Sequence, residues 1–252
     1  MKWAVEIQKT SLERRNLVDL LARLDFEVVS GIGSDLTFTS PLFKQMDTTE
    51  QVWAAAKKLR EAMVGPAEID PDFSLGAVID YSTSEPKRRH FLDAKPLQIK
   101  ISAGTVTLTV TPPQGLSEKQ VAAWEAEYAE QEYKARLEAQ LLKLEPAFRE
   151  PRAAKMLELL KRGAHTGESL YKIYELAEGK PSERKKFHKT FDVSTDEFNR
   201  FQDAVHNPVV SGDLARHAYE KTPHTTNPMT IDEAEKFVRK LAEKWLATVR
   251  KP

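Results

Sequence analysis

The stretch KWAVEIQKTSLERRNLVDLLARLD, residues 2–25, changes its hydrophobic period partway along. In its first part apolar and polar residues alternate, which predicts a half-buried strand with Trp3, Val5 and Ile7 on one face. In its second part leucines recur at helical spacing after Ser11, which we expect to be the N-cap. The N-terminal region therefore combines a strand and a helix in direct succession.

The same alternation of periods continues outward along the chain. Residues 26–33 and 35–41 are two short β-rich runs, residues 48–63 have a helical pattern, and residues 73–82 read as a strand. This β-α-β-β-α-β order is that of ferredoxin-like sandwiches. Residues 89–94, 97–103 and 106–112 predict extra strands, and a tight turn at Gly104 joins the last two in a hairpin.

The second half of the chain is helical in pattern. Residues 116–148 have a composition typical of one long helix, with a capping box of Ser117 and Gln120 at its start and Pro146 at its expected end. Its apolar residues form a stripe along one side. Such a helix would bridge two domains or pack against a second copy of the chain. Four further helical segments follow, and Thr230 with Glu233 forms a capping box before the last.

The fold class that these patterns predict is α+β. It comprises an N-terminal ferredoxin-like βαββαβ sheet domain with extra strands (1–115), a long connecting helix (116–150) and a C-terminal all-α helical domain (151–252).

Composition narrows the function classes. The 38 basic and 38 acidic residues cancel, although residues 151–252 hold 19 basic against 15 acidic. The chain has no cysteine, which excludes disulfides and thiolate chemistry. No long apolar run indicates a membrane span, so we expect a cytoplasmic protein. The G-x-G of residues 31–33 lacks the third glycine of a dinucleotide motif, and no cofactor is predicted.

Histidines concentrate near the C-terminus, at positions 188, 206, 217 and 224. Histidine is the usual general acid or base, and a neighbouring arginine can stabilise an anionic transition state. No H-x-x-x-H or H-x-H spacing occurs, so no metal site is predicted. The alternative is that residues 211–229 form a loop whose polar side chains only cap the two flanking helices, and it explains these residues equally well. The catalytic candidates are Arg216, His217, Asp213, His206 and Arg200.

A basic run at residues 183–189 is the candidate nucleic-acid-binding patch. Lys185, Lys186 and Lys189, with Phe187 and His188 between them, would suit contacts to an RNA or DNA backbone. The alternative is a solvated loop between helices.

Three strings resemble known proteins: LYKIYE (170–175), FNRFQDAVHNPVVSGDLARHA (198–218) and NPMTIDEAEKFVRKLAEKWL (227–246). They resemble the C-terminal part of a set of bacterial proteins known mainly as uncharacterised, which implies a recurring helical module without an established activity. The segment also resembles HEPN domains, helical bundles of toxins and phage-defence ribonucleases that carry an Arg followed closely by a His. Arg200 with His206 lacks the polar residue after the Arg, and Arg216 with His224 is too widely spaced.

Two hypotheses follow, and the sequence leaves open whether the protein is an enzyme. The first is a two-domain binding or regulatory protein, expected to form a homodimer, that recognises a protein or a small ligand. RNA is the other partner that the sequence leaves open. The second, implied by the HEPN resemblance, is a metal-independent endoribonuclease of a bacterial stress or phage-defence system. In it, two copies would place their Arg and His residues in a shared cleft.

Overall fold

The computed structural model describes residues 2–30, 36–91, 113, 117–219 and 222–250. It is a mixed α+β protein with a five-stranded sheet in its N-terminal part and, among these residues, nine α-helices. Its chain forms two compact units, each assembled from separate segments. The sheet unit comprises Met1–Gln8, Leu12–Ala54 and Leu75–Gln140, and the helical unit comprises Lys9–Ser11, Ala55–Ser74 and Leu141–Pro252.

The sheet is built from β1 (Trp3–Lys9), β2 (Glu27–Ser30), β3 (Leu36–Thr39), β4 (Ser74–Asp80) and β5 (Lys87–Arg89), in the spatial order β2-β3-β1-β4-β5. β3 pairs antiparallel with both β1 and β2, and β4 pairs antiparallel with β5. Helix α1 (Arg14–Ala22) follows β1, and α2 (Thr49–Val64) precedes β4. The elements up to β4 therefore follow one another as β-α-β-β-α-β.

Buried aromatic and aliphatic side chains hold the sheet unit together. Trp3, Val5 and Ile7 of β1 are buried, as their alternation predicts. Phe26 and Phe38 meet edge to face with their ring centroids 5.4 Å apart, a favourable geometry for aromatic pairs.

The expected N-cap of α1 is wrong. The helix begins at Arg14 after Glu13, because Ser11 is engaged elsewhere. The Ser11 hydroxyl donates to Oδ1 of the buried Asp70 at 2.7 Å, and the Ser11 amide donates to its Oδ2 at 3.0 Å. A buried carboxylate with such donors stabilises the chain more than a solvent-exposed cap would.

The long helix is present as α3 (Glu118–Arg149), with Ser117 bonded to Gln120 at its start. Pro146 lies inside it, so the expected helix end at this proline is wrong. A proline removes one N–H from the ladder and crowds the carbonyl four residues before it, but α3 continues past Pro146 to Arg149, and Pro151 then opens α4 (Pro151–Leu160).

The remaining helices of the helical unit are α5 (Gly167–Glu178), α6 (Arg184–Phe191), α7 (Thr195–His206), α8 (Pro208–Ser211) and α9 (Ile231–Val249). Capping boxes begin α5, α7 and α9, and the box of Thr230 and Glu233 at α9 confirms the prediction from the sequence. The apolar faces of α5, α7 and α9 form the centre of this unit, with Tyr174, Phe201 and Val238 fully buried.

Part of the predicted sheet extension lies outside the described residues. The strand expected at 89–94 overlaps β5 at Arg89, and the hairpin expected at 97–112 falls in the segment that is not described. Within the described residues, every helix is either too short or too polar to cross a lipid bilayer.

Candidate functional site

The first turn of α5 packs directly against the backbone that follows α7. Arg216 donates its backbone N–H to the carbonyl of Val205 at 2.8 Å. A Cβ atom on Gly167 would lie 2.1 Å from the Val205 oxygen and 3.0 Å from the Leu214 oxygen. Only glycine allows this approach, so Gly167 sets the position of the 211–217 segment against α5.

Four side chains converge at this junction. The His206 ring meets the Tyr171 ring edge to face at 4.3 Å between centroids, and it stacks on the His217 ring at 4.9 Å. The Arg216 guanidinium lies over the Tyr171 ring, 4.7 Å from the ring centroid. We call Tyr171, His206, Arg216 and His217 the imidazole–guanidinium cluster.

The cluster is partly open to solvent, because Tyr171 is buried under the more exposed residues, and it lies beside one carboxylate. Arg216 is exposed, and both imidazoles are partly exposed. A hydrogen bond from Lys172 at 2.6 Å lowers the pKa of Glu168, and the charge of Arg216 acts in the same direction. An exposed guanidinium beside two partly exposed imidazoles can contact a phosphate, and the imidazole rings can stack on a base.

The other two catalytic candidates lie apart from these contacts. Arg200 donates from Nε to the Asn227 carbonyl at 2.8 Å and accepts the Met229 N–H at its own carbonyl, so it holds the segment before α9. Asp213 is exposed on the 3-10 turn Gly212–Leu214. The structure therefore brings together Arg216, His217 and His206 of the five.

A carboxylate–imidazole pair involves Asp203, which lies three residues before His206 on α7. Asp203 is buried, with its side chain 2% exposed, and its Oδ1 lies 2.7 Å from Nδ1 of His224. Burial alone would raise the pKa of Asp203, but the N–H groups of His224 and Thr225 and the His224 ring hold it below the usual value. Asp203 is thus an ionised carboxylate that anchors the segment before α9.

The basic run lies on helix α6 from Arg184 onward, so it is not a loop, although its lysines are exposed to solvent. Lys185, Lys186 and Lys189 are on exposed faces of α6, whereas Phe187 is buried and His188 is partly buried. Helical periodicity thus separates the lysines from the ring residues between them. The three lysines form an exposed basic face.

His188 belongs to a buried polar network. Its Nε2 lies 2.7 Å from the Tyr174 hydroxyl, which donates to Glu178, and Arg184 binds both oxygens of that carboxylate. Burial raises the pKa of Tyr174 and lowers that of His188, and the hydrogen bond to Glu178 raises the pKa of Arg184. A hydrogen-bonded network of this kind stabilises the packing of α5 against α6.

Sequence reasoning missed Gly167, Tyr171 and Asp203 as parts of these arrangements. A glycine in the first turn of a helix was a usable signal for a close backbone approach, whereas Tyr171 reads as an ordinary core position. Among the described residues, no three His, Asp or Glu side chains are grouped so that they could hold a metal ion. Comparison of the chain with models of protein families, with curated proteins and with solved structures gives no match.

Proposed function

We propose that the protein is a binding protein whose helical unit recognises a phosphate-bearing ligand, with single-stranded RNA as the class that fits best. The observation that carries this proposal is the convergence of Arg216 with two imidazoles on the Tyr171 ring. Arginine and aromatic side chains together suit single strands, because phosphates bind the cation and bases stack on the rings.

Two further features support a nucleic-acid ligand. Tyr219 follows the cluster in the chain and has 83% of its surface exposed, so its ring is available to stack on a base. Lys185, Lys186 and Lys189 add an exposed basic face on α6. For the sheet unit, we propose a ferredoxin-like arrangement on the basis of the strand order β2-β3-β1-β4.

Binding of a labelled single-stranded RNA 12-mer, followed by fluorescence anisotropy over a salt series, tests the proposal. Arg216→Ala should weaken binding about tenfold and reduce the salt dependence, because one phosphate contact is lost. Arg14→Ala is the matched control, since Arg14 is an exposed arginine at the start of α1 in the other unit. No binding by the unmodified protein, or equal loss in both variants, would remove the proposal.

The second candidate function is a metal-independent endoribonuclease of HEPN type. It is favoured by one observation: the His206 and His217 rings stack beside Arg216, which offers an acid–base pair next to a cation for the scissile phosphate. Two copies of the chain would share the cleft in this candidate.

Incubation of the protein with total RNA and EDTA separates the two candidates. The nuclease should cleave RNA, and Arg216→Ala and His217→Ala should each lose at least about a hundredfold in rate. Light scattering of the same samples measures whether the chain is a dimer. Binding without cleavage would leave the first proposal alone standing.

A further inference from the structure

A groove runs between α4 and α5 within the helical unit. It encloses about 770 Å³, and Leu159 of α4 and Leu176 of α5 form its apolar part. Thr166 and Ser169 line it at the start of α5, and Gly179 lines it just after the end of that helix. The ten residues from Ser169 to Gly179 correspond to about 15 Å along the helix axis. The groove therefore follows nearly the whole length of α5.

Positive charge predominates along this groove. Its lining holds three carboxylates against five basic side chains, which are Arg152, Lys155, Arg162, Lys172 and Lys180. Arg152 and Lys180 lie where α5 ends, whereas Lys172 bonds to Glu168 in the first turn of α5. The cations are thus spread along the groove instead of being gathered at one point.

Arg152 is held in place at one end of the groove. A Cβ atom on Gly179 would lie 2.7 Å from Nη1 of Arg152, and Gly179 has a φ of 80°. The guanidinium also lies 5.3 Å from the centre of the Trp245 ring. Because glycine leaves room for it, the guanidinium can lie against the end of α5.

Glu168 connects the groove to the imidazole–guanidinium cluster. The Lys172 ammonium donates to its Oε1 at 2.6 Å. This hydrogen bond lowers the pKa of Glu168 most, and the charges of Lys172, Arg216 and Arg162 act in the same direction. One carboxylate thus lies within the electrostatic reach of a cluster cation and of two groove cations. The groove therefore begins beside the cluster.

We propose that this groove is a track for the sugar–phosphate backbone of single-stranded RNA, which enters it from the imidazole–guanidinium cluster. The inference rests on the RNA-binding function proposed above and assigns further phosphate contacts to it. A length of about 15 Å holds about four nucleotides at the roughly 3.4 Å per nucleotide of a stacked strand. A compact anion would reach the cations at only one end, so their spread favours a chain of phosphates. At the far end the groove includes Glu183, the residue directly before α6 and its exposed basic face.

Anisotropy of the labelled 12-mer over a salt series tests the track with the full chain. Lys155→Gln combined with Arg162→Gln removes two exposed groove cations. This double variant should weaken binding about tenfold and reduce the slope of log K against log salt by about 1.4, since each phosphate contact of a single strand contributes roughly 0.7. Arg14→Gln combined with Lys119→Gln is the matched control, because both residues are exposed in the sheet unit and the charge change is the same. The control should change affinity less than about twofold.

Glu168→Gln tests the track in the opposite direction. The carboxylate repels phosphate and engages Lys172, so its removal should strengthen RNA binding by at least about threefold. A purely structural role of Glu168 would not produce such a gain. Glu118→Gln is the matched control, because it removes an exposed carboxylate from the first turn of α3, and it should leave the affinity unchanged.

The outcomes separate the track from the RNA-binding proposal itself. Equal affinities and salt slopes for the groove double variant and its control, or no gain in Glu168→Gln, overturn the track; a loss in Arg216→Ala then leaves the RNA-binding proposal standing. Displacement of the 12-mer by an equimolar amount of inorganic tripolyphosphate indicates a compact anion site and also overturns the track. Absence of binding by the unmodified protein overturns both proposals together.

Discussion

Asp203 connects the end of α7 to the segment that precedes α9 by four hydrogen bonds. This single buried carboxylate accepts hydrogen bonds from N–H groups of an irregular segment that would otherwise be unpaired. Its effect is local, since all of its partners belong to residues 224 and 225. Loss of this carboxylate should therefore destabilise the contact between α7 and residues 224–225.

Asp203→Asn should lower the free energy of unfolding of the helical unit by about 1–3 kcal/mol. The asparagine side chain has one acceptor oxygen and one NH₂ group. The donors of either His224 or Thr225 would therefore face an NH₂ group that cannot accept them. Urea unfolding followed by circular dichroism measures the change. Asp213→Asn, at an exposed site, should stay within about 0.5 kcal/mol; an equal effect of both variants would contradict the assigned role.

Two other histidines make the stability of the helical unit depend on pH. Burial lowers the pKa of His165, which contacts Ser169 and Arg239, and it lowers the pKa of His188. In the unfolded chain histidine takes up a proton near pH 6.5, before the folded protein does. Their contribution is therefore complete above pH 6.5 and is lost as pH falls through the lower folded pKa values.

We expect the free energy of unfolding to decrease between pH 7.5 and 5.5, by at most about 1.4 kcal/mol per histidine and pH unit. His165→Asn should make the curve flatter, because it removes one of the two groups. His90→Asn, at an exposed position, should leave the slope unchanged. Urea unfolding at four pH values measures the slope, and identical slopes for the His165 variant and the unmodified protein would be inconsistent with the expectation.

At the scale of elements, capping and periodicity explain most helix boundaries. The alternation of β1 and the Thr230–Glu233 box of α9 could be predicted because both depend on residues close in sequence. The start of α1 could not, because Ser11 binds Asp70, a residue far along the chain. Helix α6 was missed since its short apolar face consists of few residues within a basic run.

The junction of α5 with the end of α7 depends on the absence of a side chain at Gly167. Gly167→Ala should lower stability by about 1–3 kcal/mol, because the new methyl group would overlap the Val205 carbonyl oxygen. The same change should weaken RNA binding, since the cluster residues on both sides of the junction move apart.

Gly163→Ala is the matched control for this change, because an added Cβ there has open space within 4 Å. Thermal unfolding and anisotropy of both variants measure the difference. Equal melting temperatures for the two variants would show that the junction tolerates the methyl group.

At the scale of the whole molecule, the candidate site could be predicted only in part. Arg216, His217 and His206 attract notice because they are polar and clustered in sequence. Tyr171 and Asp203 complete the two arrangements by tertiary contacts, and no local pattern marks such partners. The extent of the helical unit is likewise a tertiary property, since Ala55–Ser74 belongs to it.

A fragment of residues 141–252 should be less stable than the same helices in the full chain. It lacks Glu68, which pairs with Lys161 at 3.3 Å, and Lys58, whose ammonium lies 5.0 Å from the centre of the Phe148 ring. Hydrogen exchange of α4 and α5 peptides measures this directly. Protection at least about tenfold lower in the fragment is expected, and equal protection would mean that the early segments contribute nothing.

The helical unit is assembled from three separate segments of the chain, and this affects folding during synthesis. Ribosomes deliver about 5–20 residues per second, so Asp70 leaves the tunnel roughly 10–40 s before the last helix does. During that interval residues 55–74 must wait without their final partners, with the buried side chains of this segment open to capture by chaperones. Rare codons or stalled synthesis within residues 75–230 would prolong that exposure and should reduce the yield of correctly assembled protein.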